Sequence, residues 1–409
     1  MSEAIASQVA ITGVGLCTSV AEQPIQLYAA VHNNLSATRW HPSLGREDAQ
    51  GRFQPALTAP NSDLAGFASP GDRALALAAT ALDNALQTLP AGVSREGLVV
   101  LTMLPSLTQC RARSITTPAQ VSSLKEVVLD GAELDFRFGD AGRGASYYLA
   151  TLCHALDTGR LDAVIFGGVD TLVDDSTCEQ WLEQDLLKIR GSAYGSIPGE
   201  GAAYCVLRAV DAMVEEERPL ARVASVAHAL EPHAGSPETR RLTALSDCLR
   251  QALTAAELEA DQIGGFVHAT SSTEPAAELE WLQASQALLR VELTEEQQNE
   301  LMRGHITLED LPQAPRPPRF KMGGTVGDVG AAAMPMQLAL ACGRFQAQTP
   351  YAGSLVVCET DASGARGAVV LRNPYPASAA DTPARLVDPF ENITGDPFAP
   401  AEQLADGVV

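Results

Sequence analysis

Strand-like and helix-like segments alternate along almost the whole chain, and this alternation restricts the fold more than any other feature. Residues 9–15 (VAITGVG) form a β-rich run ended by glycines. Residues 73–89 carry apolar side chains at helical spacing. Residues 98–104 make a short apolar run between Gly97 and Pro105, and residues 146–156 return to helical spacing. Residues 163–166 read as a buried strand stopped by Gly167 and Gly168, and residues 202–207 close the first half. The second half begins near Arg222. It has strands expected at 223–229, 265–270, 354–358 and 367–371, and helices at about 239–253, 275–289 and 330–342. Strands alternating with helices imply a largely parallel sheet with helical layers. The order of elements is similar in the two halves, so a duplicated α/β unit is expected, although no sequence repeat is evident.

Size and composition agree with such a fold. Of the 409 residues, 46% are hydrophobic and 19% charged, enough apolar material for two cores or one large two-part fold. No apolar run reaches the roughly 18 residues of a membrane span. The N-terminus lacks the basic and apolar regions of a secretory signal. The eight cysteines form neither a CxxC pair nor a His/Cys cluster. They read as reduced core residues of a cytoplasmic protein, with no disulfide frame and no metal site. A net charge of -22 argues against nucleic-acid binding. No cofactor is expected. Residues 316–319 (RPPR) break regular structure. Residues 376–409 are a Pro/Asp-rich tail, in which Phe390 and Phe398 repeat within Asp-Pro-Phe triplets. They read as docking anchors for a partner, or as part of an arm lying on its own domain or of a disordered end.

Five segments, in order, resemble the β-ketoacyl synthases of the thiolase-like superfamily. They are VAITGVGLCTSV, LDTGRLDAVIFGGVDT, GSIPGEGAAYCVLR, FVHATSSTEPAAELEWL and KMGGTVGDVGAAA. The resemblance implies a five-layered αβαβα fold built from two similar halves, here residues 1–215 and 216–375, and usually a homodimer. It also implies a site: a nucleophilic Cys at a helix N-terminus, two His and a nearby Lys.

This sequence departs from that site at each point. Counting back from Gly167 by the family's spacing places Gly142 where the Cys belongs. Ser146 and Cys153 lie further along the same helix, and Cys153 reads as a core residue. Thr270 takes the position of the first His. His268 lies two residues earlier on the strand and so on the same face, where it reads first as a structural strand His and second as a site residue. Asp328 takes the position of the second His, and an N-cap for the following helix is its expected role. Lys321 corresponds to the family's Lys. Ala362, in Asp361-Ala362-Ser363-Gly364, replaces the Phe that gates the family's acyl pocket. Ketosynthase condensation is therefore not expected.

Three functions stay open. The small-residue elbow, the IPGEGA stretch and the GDVGAA ending resemble degenerate synthase-like proteins encoded beside type VI secretion effectors, which implies an adaptor or chaperone. An inactive, chain-length-factor-like partner of an active ketosynthase is the second. The third is an acyltransferase acting on acyl-CoA or acyl carrier protein thioesters, with His268, Thr270, Ser271 and Asp328 as its players.

Overall fold

A computed structural model describes residues 3–375 except 68, 91, 97, 107–133, 215–216, 233–241, 272, 290–292, 308–315 and 349–351. Phe390 and Phe398 lie outside the described residues. The first half contains β1 (Glu3–Thr18), α1 (Pro24–His32), β2 (Arg39–Glu47), β3 (Phe53–Thr58), α2 (Pro70–Gln87), β4 (Val99–Leu104) and β5 (Asp135–Asp140). It continues with α3 (Ala145–Asp157), β6 (Ala163–Thr171), α4 (Asp175–Glu183) and β7 (Glu200–Ala209). The second half contains β8 (Ala221–Leu230), α5 (Ala244–Ala255), β9 (Phe266–His268), α6 (Pro275–Leu288) and α7 (Glu295–Met302). It ends with β10 (Arg319–Lys321), α8 (Gly323–Val326), α9 (Ala333–Ala347), β11 (Ser354–Thr360) and β12 (Ala365–Arg372).

Ten strands form one sheet in the order β10-β9-β11-β12-β8-β1-β7-β6-β4-β5, while β2 and β3 pair separately. The order is the same on each side of the β8–β1 seam, counted outward from it. So is the sense: in each half the two pairs nearest the seam are antiparallel and the two outer pairs parallel. The long β1 makes the seam by pairing with β8 through its first part and with β7 through its second.

Alternation along the strands sorts the core into layers, because successive side chains point to opposite faces. Val164 and Phe166 of β6, and Leu355 and Val357 of β11, belong to a central cluster around α3 and α9. Ile165 faces the other way, against Leu77, Ala81 and Leu82 of α2. Val356 likewise faces Leu249 of α5 and Trp281 of α6. Strands covered on both faces read as unbroken apolar runs. The central helix α9 is buried from Met334 to Phe345, largely by apolar side chains, and the amide of its buried Gln337 donates to the Val267 and Cys358 carbonyls. The result is five layers, αβαβα.

Five of the nine strand pairs in the large sheet are antiparallel, so it is mixed and not largely parallel, and three local expectations also need correction. The strand at 163–166 does not stop at the glycine pair but runs to Thr171. The glycines serve close approach instead: a Cβ on Gly167 would lie 2.0 Å from the Tyr204 ring, and one on Gly168 2.4 Å from the Ala331 carbonyl oxygen. The strand expected over 265–270 covers only Phe266–His268. The helix expected from 239 begins, within the described residues, at Ala244. Each described cysteine is unpaired and buried. No described helix is long and apolar enough to cross a membrane.

Candidate functional site

The site grows from the turn between β5 and α3. Asp140 ends the strand, and its Oδ1 accepts the Gly142 N–H at 2.8 Å. Residues Ala141–Arg143 make one 3-10 turn, and Gly144, at φ +87°, leads into α3. A Cβ on Gly144 would lie 2.9 Å from that of Ala365, so both backbone and packing demand glycine there. Gly142 differs. A Cβ there would sit 3.1 Å from Asp140 Oδ1 and 3.8 Å from Ser106 Cβ, so a small side chain fits with slight adjustment.

The start of α3 is occupied from within the chain. Glu359 Oε1 on β11 accepts the Ala145 N–H at 2.6 Å, and Oε2 accepts the Ser146 N–H at 3.0 Å. The Ser146 hydroxyl donates to the same Oε2. Burial pushes the Glu359 carboxyl upward in pKa, against these lowering hydrogen bonds. A carboxylate on the first-turn amides offsets the positive end of the helix dipole. Cys153, deeper in α3, is fully buried, and burial pushes its thiol up to about 12.

Two adjoining cavities, of about 690 and 540 Å³, open beside this turn. Thr270 and Ala362 line both, while Asp328 and Ala141 line the smaller. Gly142 itself is tied to the Ala362 loop, its carbonyl accepting the Ser363 hydroxyl at 3.3 Å. The turn, Thr270, Asp328 and Ala362 are thus brought to one cleft.

Asp328 does not cap α9. Its Oδ1 accepts the Gly330 N–H at 2.9 Å in a local turn. The Ala331 N–H, one residue on, donates instead to Asp170 Oδ2 at 3.0 Å. Gly330, at φ +48°, folds the turn onto Asp170, so the two carboxylates together hold the 3-10 turn Gly330–Ala332 that leads into α9, which has no side-chain cap of its own. Burial pushes the Asp328 carboxyl up to about 7, with further upward pressure from Glu274, Asp170 and Asp361.

The other candidates lie elsewhere. Lys321 Nζ reaches Glu278 at 2.9 Å, and Arg319 shares the same carboxylate. His268 is only 3% exposed and packs edge-on to Trp281 at 4.5 Å, facing the outer helical layer with Phe266. Burial, aided by Arg319 and Lys321, holds its pKa well below the usual imidazole value. Because β9 ends at His268, Thr270 does not continue its face. Ser271 is buried, with its hydroxyl 2.7 Å from that of Thr273. The convergent carboxylates Asp170, Glu274 and Asp361 were missed from sequence, as was Glu359. Their only signal there was acidity beside the motif positions.

No protein-family model matches the chain, and no curated protein matches it significantly. Solved structures do. The ishigamide ketosynthase/chain length factor matches with a TM-score of 0.58 and 20% identity, over 90% of this chain and 99% of that one. The oxazolomycin ketosynthase domain OzmH KS7 of Streptomyces albus JA3453 matches at 0.64 and 16%, over 91% and 76%. A type II PKS acyl-carrier protein in complex with its ketosynthase matches at 0.65 and 14%, over 90% and 99%. At such identities the likeness concerns architecture, and the chain has the thiolase-like fold of the ketosynthases.

Proposed function

We propose that this chain is a non-catalytic, cytoplasmic scaffold of ketosynthase fold, acting as an adaptor or chaperone for a type VI secretion effector, usually as a homodimer. The observation that carries the non-catalytic reading is the turn before α3. It has no nucleophilic side chain at Gly142, and Glu359 occupies the helix amides that would activate one. Condensation also needs groups that stabilise developing negative charge. Asp328 and its acidic neighbours do the opposite. The effector partner rests on the resemblance of the sequence segments. A second reading, an inactive partner of an active ketosynthase, is favoured by the likeness to the ishigamide ketosynthase/chain length factor.

Incubation with acyl-CoA and acyl carrier protein thioesters, followed by intact-mass spectrometry, is expected to give no adduct and no hydrolysis. Turnover that disappears in Thr270→Ala or Asp328→Asn would instead establish a rearranged acyltransferase. Co-purification from the native lysate separates the other readings, a secretion effector supporting the first and an active ketosynthase the second.

The role given to Glu359 has its own test. Gly142→Cys is expected to place a thiol whose pKa is not depressed. Adding Glu359→Ala frees the α3 amides, and the alkylation rate of the introduced thiol near pH 7 should rise roughly 5-fold. Equal rates in the single and double variants would remove Glu359 from the account.

A further inference from the structure

We propose that the cleft beside Thr270 binds an organic cation, a protonated amine or guanidinium carried on an apolar body. This goes beyond the scaffold reading and does not depend on it.

The charge of the cleft is one-sided. Asp170, Glu274, Asp328 and Asp361 reach the smaller cavity from four separate places in the fold. Asp170 comes from β6, Glu274 from the start of α6, Asp328 from the turn before α9, and Asp361 from the loop after β11. Glu274, Asp328 and Asp361 each accept a backbone N–H, from Ser271, Gly330 and Ser363 respectively, and the side chains of Ser271 and Ser196 also hydrogen-bond Glu274. An ionised carboxylate has capacity for more. The two arginines that line the larger cavity are committed elsewhere. Arg366 pairs with Glu280, and Arg46 with Asp185 and the Leu182 carbonyl. Crowding of like charges is visible at Asp328, whose carboxyl is pushed up by burial first and then by Glu274, Asp170 and Asp361. A bound cation relieves that repulsion.

A second observation points to a ligand. Thr177 on α4 lines the smaller cavity and is only 3% exposed, and its Oγ1 finds no hydrogen-bond partner. A buried hydroxyl left unpaired costs free energy that a bound donor recovers.

The chemistry of the ligand follows from the walls. Among the described residues no group of three or more His, Cys, Asp or Glu side chains is placed to hold a metal ion. The described carboxylates are thus spread too widely to chelate one metal ion, and they suit a larger cationic body. Leu172, Trp181 and Leu186 give the smaller cavity an apolar side, and Leu187, Ile189 and Tyr194 do so for the larger. The volumes, about 540 and 690 Å³, are those of small-molecule pockets. An anionic phosphate-bearing ligand would meet only repulsion from the four carboxylates.

Titration calorimetry on the full chain tests this, with octylamine, octanoate, and an acetylated, amidated Leu-Lys-Leu peptide as probes. Octylamine or the peptide is expected to bind saturably at one site, and octanoate not at all. Asp328→Asn and Glu274→Gln should each weaken the cation at least about 10-fold. If Asp328→Asn does not fold, Asp361→Asn in the loop after β11 carries the same expectation. Tighter peptide than octylamine assigns the cation to a partner's side chain, and the reverse assigns it to a free amine. Equal binding of octylamine and octanoate, unchanged affinity in the variants, or no binding of either cation overturns the proposal.

Discussion

Glu200→Ala is expected to lower the unfolding free energy by about 3–5 kcal/mol, the cost of breaking a buried ion pair from one side. The Glu200 side chain is fully buried and that of Arg73 is 12% exposed. Arg73 Nε donates to Oε2 at 3.0 Å, and Nη2 donates to Oε1. Oε1 also accepts the buried Asn61 N–H at 2.6 Å, and Oε2 the Thr171 hydroxyl at 2.9 Å. One carboxylate thus ties α2, β6, β7 and the segment after β3 together. Removing it strands a guanidinium in the protein and takes away the acceptor of the Asn61 amide. Urea unfolding measures the loss as a fall in midpoint at constant slope. A change under about 1 kcal/mol would mean that Arg73 reaches water, where ion pairs contribute little. Glu200→Gln should fall between, because the amide oxygen still accepts while the charge is lost.

Glu280→Ala is expected to cost about as much, again roughly 3–5 kcal/mol, in the other half of the fold. Glu280 on α6 and Arg366 on β12 have side chains 5% and 6% exposed. Their fork is bidentate, with Nε to Oε1 at 2.6 Å and Nη2 to Oε2 at 2.9 Å. Arg366 Nη1 also donates to the carbonyls of Asp361 and Ala365, at 2.7 and 2.8 Å. The pair therefore holds the outer helix to the sheet and shapes the loop that carries Asp361. Arg366→Met alone should destabilise by a similar amount. The double variant Glu280→Leu/Arg366→Met should lose much less than the sum, since no charge is then left buried. A double-mutant cycle by urea unfolding measures this, and additive losses would show that the pair does not act as a unit.

Glu200 also shows where sequence reading stopped short. The glycines flanking it in GEGA serve close packing: a Cβ on Gly199 would lie 2.1 Å from the Val326 carbonyl oxygen. The glutamate has a different task, because its partner Arg73 lies 127 positions away on α2. Helices α2 and α3 were legible because each carries a local apolar period, and α9 because it is a near-continuous run of small and apolar residues. The hairpin of β2 and β3 was not, since β2 is mostly exposed and polar and β3 is only six residues long.

By itself the sequence determined the alternating α/β order, the apolar strands covered on both faces, and the residue types at positions 142, 270, 328 and 362. These are local facts, set by spacing within one strand–helix unit or by the identity of one side chain. Only the tertiary structure decided which groups meet. Glu359 closes the α3 terminus across more than 200 residues of sequence. Lys321 is drawn to Glu278, and Asp170 joins Asp328 in holding the turn before α9. The two sheet halves must stack on the central helices before these groups are neighbours, and that stacking depends on packing summed over both halves. The sequence could therefore show that a nucleophile is missing at Gly142. Which carboxylates gather around the cleft beside it was decided by the fold.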